Sequence, residues 1–242
     1  MAKYFTFLIL IALLSSGCAT SPDYTADTRD PWQGFNRKVY SFNDALDRAF
    51  LVPVATGYRA VTPDIAEKGV SNFFSNLNDF VVAFNNTLQL KFLDASSDVG
   101  RIVVNSTIGL LGFIDVASGM GLKKHNEDFG QTLGYWGAGT GPYVVLPFLG
   151  PSNVRDGPAR VVDFLVYPPN WADIKNSERN ILFAINVVNT RAELMVLEEK
   201  TEELSRDRYV FIRDAYLDNR EFLVNDGQLP IDEGLYDELE DE

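Results

Sequence analysis

One histidine and one cysteine are present in the 242 residues, so any catalytic or metal-binding reading has to begin with them. His125 stands in the run Lys123-Lys124-His125-Asn126-Glu127-Asp128. An imidazole beside two carboxylates offers metal-ligand atom types. Three neighbouring ligands on one short segment rarely close a coordination sphere, however, and the chain has no further His or Cys to complete one in the body. A Ser-His-Asp relay would need the same His125, and no Gly-x-Ser-x-Gly turn occurs. Carboxylates are so numerous that no single pair stands out for acid–base work. The run Gly137 to Pro142, "GAGTGP", lacks the lysine of a phosphate-binding loop and leads into Tyr143-Val144-Val145 rather than a helix. His125 is read as a surface or capping residue, and the chain is expected not to be an enzyme, with no metal and no cofactor.

The cysteine tells more. Met1 to Leu14 carries a basic start and a short apolar run, and "SSGCAT" follows, which is the layout of a secretory signal. Leu14-Ser15-Ser16-Gly17-Cys18 resembles a bacterial lipobox, with Ser15 where an aliphatic residue is commonest. The expectation is a signal peptide over 1–17, lipidation at Cys18 and a tether over 18–29. Ala19 in place of aspartate favours the outer membrane, by resemblance to enteric lipoproteins. A lone thiol excludes an internal disulfide framework.

At the other end, residues 226–242 hold eight acidic side chains and neither lysine nor arginine, out of a formal net charge of -13 for the whole chain. That composition reads as a disordered, solvated tail, and a docking tail for a basic partner is the sharper alternative. No basic patch stands out, so nucleic acid is not an expected partner.

The body between these ends is long enough for one domain, expected over 30–225. It reads as mainly α. Trp32, Phe35, Val39, Phe42, Leu46 and Phe50 recur every three or four residues, with Asp30-Pro31 as a start signal. A second helix follows Pro63-Asp64; it is rich in phenylalanine, and its polar residues are asparagines rather than charges. From Ile108 to Leu122 two short apolar arms bend around "GFID". The stretch from Phe129 to Val154 has no charge but six glycines and three prolines, which fits neither an exposed loop nor a spanning helix. Asn176 to Ser205 and the segment after Arg206 read as ordinary water-facing helices, and no spanning helix is expected after Cys18. If the apolar part meets lipid, it does so as helices lying in the interface.

The stretches "DPWQGFNRKVYSFND", "NSTIGLLGFIDVASGMGL", "EDFGQTLGYWGAGTGPYVVLPFLGPSNVRDG" and "RDRYVFIRDAYL" together closely resemble the MlaA (VacJ) family of outer-membrane lipoproteins, over Asp30 to about Leu223. The resemblance implies a ring-shaped helical bundle in the inner leaflet of the outer membrane, with interfacial membrane helices, a Gly/Pro-rich central region and an amphipathic central channel. It implies as partners phospholipids, a trimeric outer-membrane porin and the periplasmic lipid carrier MlaC. The implied function is retrograde removal of mislocalised phospholipids, which maintains lipid asymmetry; a structural scaffold of an envelope complex is the alternative. On this basis Gly109, Gly112, Phe113, Asp115, Gly119, Gly121, Tyr135, Gly141 and Pro142 are expected in a channel or flap. Trp32, Phe35, Phe42, Trp136 and Tyr143 are expected to face the membrane, and Lys123 and Lys124 to meet lipid phosphates.

Overall fold

The computed structural model describes residues 27–201 and 207–228. The expected signal peptide, Cys18, most of the tether and most of the acidic tail lie outside the described residues. The described chain is helical apart from one hairpin. In order it forms α1 (Gln33–Leu46), a π-helical segment (Asp47–Leu51), α2 (Val52–Val61), α3 (Asp64–Leu88), α4 (Phe92–Thr107), α5 (Val116–Gly119), α6 (Phe129–Tyr135), β1 (Tyr143–Leu146), β2 (Gly150–Asn153), α7 (Asp156–Val166), α8 (Pro168–Trp171), α9 (Asn176–Thr201) and α10 (Arg208–Val224).

Asp30 does not cap α1, contrary to the start signal; Trp32 occupies the cap position and makes no side-chain capping bond. Asp30 is instead buried, accepting from Asn36 Nδ2 at 2.7 Å and from the Tyr209 hydroxyl. A carboxylate that deep needs several donors, and these bind it more firmly than one helix end would.

The antiparallel hairpin pairs Tyr143 with Asn153 and Leu146 with Gly150. Its outer edge is closed by side chains of α1. Asn36 donates to the Tyr143 carbonyl at 3.0 Å and accepts from Val145 N–H at 2.9 Å; one heptad on, Asn43 donates to the Leu146 carbonyl and accepts from Phe148 N–H. Two asparagines thus take the place of a third strand and leave those edge groups paired. Beneath the hairpin Tyr143, Val145, Tyr209 and Leu217 form an apolar core, with Val39, Tyr40 and Tyr216 packed against it.

Part of the uncharged stretch is regular after all. Phe129 to Tyr135 is helical, with Asp128 accepting from Gln131 N–H as its cap. A cap plus two buried neighbours outweighs two glycines over so short a helix.

Candidate functional site

Long helices of water-soluble proteins bury an apolar stripe. α3 and α4 bury a largely polar one where they meet, although α3 also buries Phe74, Val81 and Val82. Asn76, Asp79 and Asn86 line the side of α3 that meets α4, Asn85 turns instead to Thr132 and Asp163, and Asp98, Arg101 and Asn105 lie along the facing side of α4. The antiparallel register brings Asn86 Nδ2 to Asp98 at 2.7 Å, Arg101 Nε to Asp79 at 3.3 Å and Asn76 Nδ2 to Ser106 at 2.9 Å. Phe92, Leu93, Val99 and Val103 of α4 point outward and are exposed. Among the described residues more polar than apolar side chains are buried, and several of the apolar ones are alanines.

The loop between α5 and α6 is pinned along this polar seam. Lys124 pairs with Asp79 and donates to the Ser75 carbonyl, His125 Nδ1 lies 2.8 Å from Asp98, and Glu127 accepts from Gln89 and Lys91. Lys124 is therefore committed to a buried carboxylate, and His125 bridges Asp98 and Asp94. At the end of the seam is a polar chamber of about 320 Å³ walled by Asp128, Asp156, Asp163 and Arg220. Arg220 grips both oxygens of Asp128. Burial pushes the Asp163 carboxyl up to about 6, helped by nearby Asp128 and opposed by donation from Asn85 and Phe129 N–H. Asp115 goes the other way, held down at about 2: against the cost of burial stand donors from Ser118, Asn105 and Arg101.

The expected flap is a tight tip between α4 and α5. Leu110 and Leu111 both take positive φ, 54° and 59°, and both are exposed. Strained non-glycine backbone of this kind persists only where its surroundings force it. Gly112 follows at φ 95°, where a Cβ would stand 2.6 Å from that of Asn76. A Cβ on Gly109 would lie 2.2 Å from the Ile114 carbonyl oxygen. These two glycines serve close approach of the tip to the polar seam, whereas nothing stands within 4 Å of a Cβ on Gly119 or Gly121. Phe113 lies against Phe73, and Asp115 caps α5 and binds Arg101. Gly141 and Pro142 line a separate cavity of about 570 Å³.

Trp32, Phe35 and Phe42 are exposed, as are Tyr135 and Trp136, whose indole donates to the Leu88 carbonyl. Tyr143 is a correction: at 1% exposure it lies inside the core under the hairpin, stacked edge-on with Tyr209, and cannot face a membrane there. Alternation along β1 turns Tyr143 and Val145 inward together. The last third exposes more apolar surface than its water-facing reading expects. α9 exposes Ile181, Phe183 and Ile185, and its residues Asn176–Glu198 are long and apolar enough to cross a bilayer by length and composition alone. Arg191 in that span turns inward to Asp47 at 2.7 Å and to Glu198.

Sequence reasoning missed Asp79, Arg101, Asp98, Asp163 and Arg220. A usable signal existed for one of them: Arg101 is the lone basic residue between Lys91 and Lys123. An isolated charge in an apolar segment usually has a buried partner.

The comparisons with known proteins agree with one another. Residues 28–223 match the family described as MlaA lipoprotein. The intermembrane phospholipid transport system lipoproteins MlaA of Shigella flexneri and of Escherichia coli (strain K12) are each 34% identical, over 97% of this chain and 96% of their own. An uncharacterised protein of Rickettsia bellii (strain RML369-C) is 35% identical over 81% of this chain and 76% of its own. A solved structure described under "Structural basis for maintenance of bacterial outer membrane lipid asymmetry" superposes with a TM-score of 0.70 at 33% identity, covering 81% of this chain and 99% of that one.

Proposed function

Since the chain belongs to the MlaA lipoprotein family, we propose that it removes mislocalised phospholipids from the outer leaflet of the outer membrane and passes them to a periplasmic carrier, which keeps the two leaflets chemically distinct. One observation carries the reading: among the described residues most buried side chains are polar, while many large apolar ones are exposed. Exposed Phe92, Leu93, Val103, Phe164 and Phe183 suit acyl chains. A phospholipid headgroup cannot cross hydrocarbon cheaply, since a single buried, unpaired polar group already costs roughly 2–7 kcal/mol. A lane bordered by asparagines and paired charges lets the headgroup keep polar partners while the tails follow the apolar side. The fold then works as a ring in the inner leaflet, open through its centre to lipid from the other side. No bond is broken in this step.

The lipid anchor at Cys18, the trimeric porin and the carrier MlaC belong to the same proposal. The lipobox-like run before Cys18 supports the anchor, and family membership supports a multi-component pathway. The test uses cells lacking this gene, complemented with wild type or Cys18→Ala, in which an outer-membrane enzyme acylates lipid A only when phospholipid reaches the surface. Lipid A acylation should rise on deletion, return to baseline with wild type and stay high with Cys18→Ala. An unchanged level on deletion would overturn the proposal.

A further inference from the structure

We propose, resting on the phospholipid-handling reading above, that the turn of the β-hairpin, Pro147-Phe148-Leu149, is a rigid wedge that enters the acyl layer of a phospholipid surface. Phe148 is 78% exposed and Leu149 60%, on a hairpin whose Tyr143 and Val145 are buried. β1 is four residues long, so the turn stands roughly 13 Å along the strand from Tyr143. The turn can therefore lie in lipid while the apolar core at the base of the hairpin stays outside it.

The backbone of the turn is strained in favour of the ring. Phe148 sits at φ 64°, a left-handed conformation that turns usually give to glycine or asparagine. Glycine would relieve the strain and lose only the side chain, so the aromatic ring is what this position supplies.

Polar groups of the turn are served from within the protein. Asn43 of α1 accepts from the Phe148 N–H at 2.9 Å, and Arg160 of α7 donates to the Leu149 carbonyl at 3.2 Å and to the Pro151 carbonyl at 2.8 Å. Pro147 has no N–H to satisfy. Water can serve the backbone of an ordinary exposed turn, whereas hydrocarbon offers neither donor nor acceptor.

The apolar surface continues on both sides. The Phe42 ring stands edge-on to Phe148 at 5.5 Å and is itself half exposed. Arg160 lies one turn before Phe164 on α7, where Val161, Phe164 and Leu165 are exposed. The end of α7 is treated as the hairpin turn is: Asn170 donates to the Phe164 carbonyl at 2.7 Å, and the exposed Trp171 donates to the Val166 carbonyl at 2.8 Å. Side chains thus pair helix-end carbonyls that would otherwise need water. A lipid surface is favoured over a protein partner because Val144 to Pro151 contains no side-chain donor or acceptor with which to fix a partner's register.

The test is a depth measurement by spin label. Phe148→Cys is made in the full chain carrying Cys18→Ala, so that the label has one target, and the protein is mixed with vesicles of phosphatidylethanolamine and phosphatidylglycerol. The label should collide more with dissolved oxygen than with an aqueous nickel chelate, and the reverse should hold for a label at Asp218→Cys, 73% exposed on α10. More collision with the chelate at position 148 would overturn the wedge. Partition into the same vesicles gives a second readout. Phe148→Asn removes the ring but suits the left-handed backbone, so it should weaken partition about tenfold without lowering the melting temperature, while Phe148→Trp should keep it. Equal partition of wild type and both variants would overturn the wedge, as would unchanged partition of Phe148→Asn with loss of self-association in detergent, which marks a contact between copies. If these readouts fail while wild type still restores lipid asymmetry in cells, only the wedge falls. If wild type fails to restore asymmetry, the broader function falls.

Discussion

The interior between α3 and α4 and the interior beneath the β-hairpin are built by opposite rules. Under the hairpin, aromatic and aliphatic side chains from β1, α1 and α10 meet as they do in a water-soluble protein. Between α3 and α4 amide-to-carboxylate and guanidinium-to-carboxylate contacts run beside the small buried Val82, Ala83 and Ala95, while Phe92, Leu93, Val99 and Val103 of α4 point away. On the proposed function, the difference follows from the surroundings of each. Against water, burying apolar area is the main driving force. Against acyl chains, an apolar helix face gains nothing by packing on another, so hydrogen bonds and ion pairs must hold the helices together.

The comparison is sharpest at Arg101, which is 2% exposed and ties Asp79, Asp115, Ser118 and the Leu122 carbonyl together. Arg101→Met leaves buried Asp79 with Lys124 as its one remaining cation and strips Asp115 of its guanidinium, and should cost roughly 3–5 kcal/mol, read as a large fall in melting temperature in detergent. In the apolar core, Leu217→Ala should cost about 2–4 kcal/mol through lost burial and the cavity left behind. A loss at Leu217 larger than that at Arg101 would mean that the polar seam is not what holds α3 to α4.

A pH experiment separates the two ends of the polar region. The Asp163 carboxyl, raised from 3.8 to about 6, binds its proton more tightly folded than unfolded. Its contribution is therefore fully present below about pH 4 and is lost as pH rises through 6, on the order of 2 kcal/mol. Asp163→Asn should flatten stability between pH 4 and 6 relative to wild type. Asp115, lowered to about 2, acts in the opposite sense, with stability present above about pH 4 and lost toward pH 2. Asp115→Asn should change only that lower window.

The smallest stability effect is expected outside. Phe183, 69% exposed on α9, makes Phe183→Ser nearly neutral for folding, within about 0.5 kcal/mol. The same change should weaken partition into phospholipid vesicles about tenfold or more, because a buried phenylalanine is worth about 1.5–3 kcal/mol. Unchanged partition would remove α9 from the lipid-facing surface.

Helix positions were largely readable from the chain. The Pro63-Asp64 start holds, and the three-to-four spacing from Trp32 marks α1. Which face turns inward was less readable. Periodicity locates a stripe but is silent on the solvent outside it, and the asparagines of α3 were legible only as an oddity. Tyr143 failed for the same reason: an amphipathic ring suits a membrane interface and a hydrogen-bonded core equally well. The pairing of Arg101 with Asp79, 22 residues away, has no local signature.

The sequence alone determined the helical class, the acidic end and the motifs by which the family is recognised, because these rest on spacing and composition along a chain. Tertiary structure alone decided that polar side chains fill the centre, that α1 asparagines close the hairpin edge and that Arg160 reaches the hairpin turn from α7. Those facts depend on contacts between distant residues and on what lies outside each face, and neither quantity is encoded in any one segment.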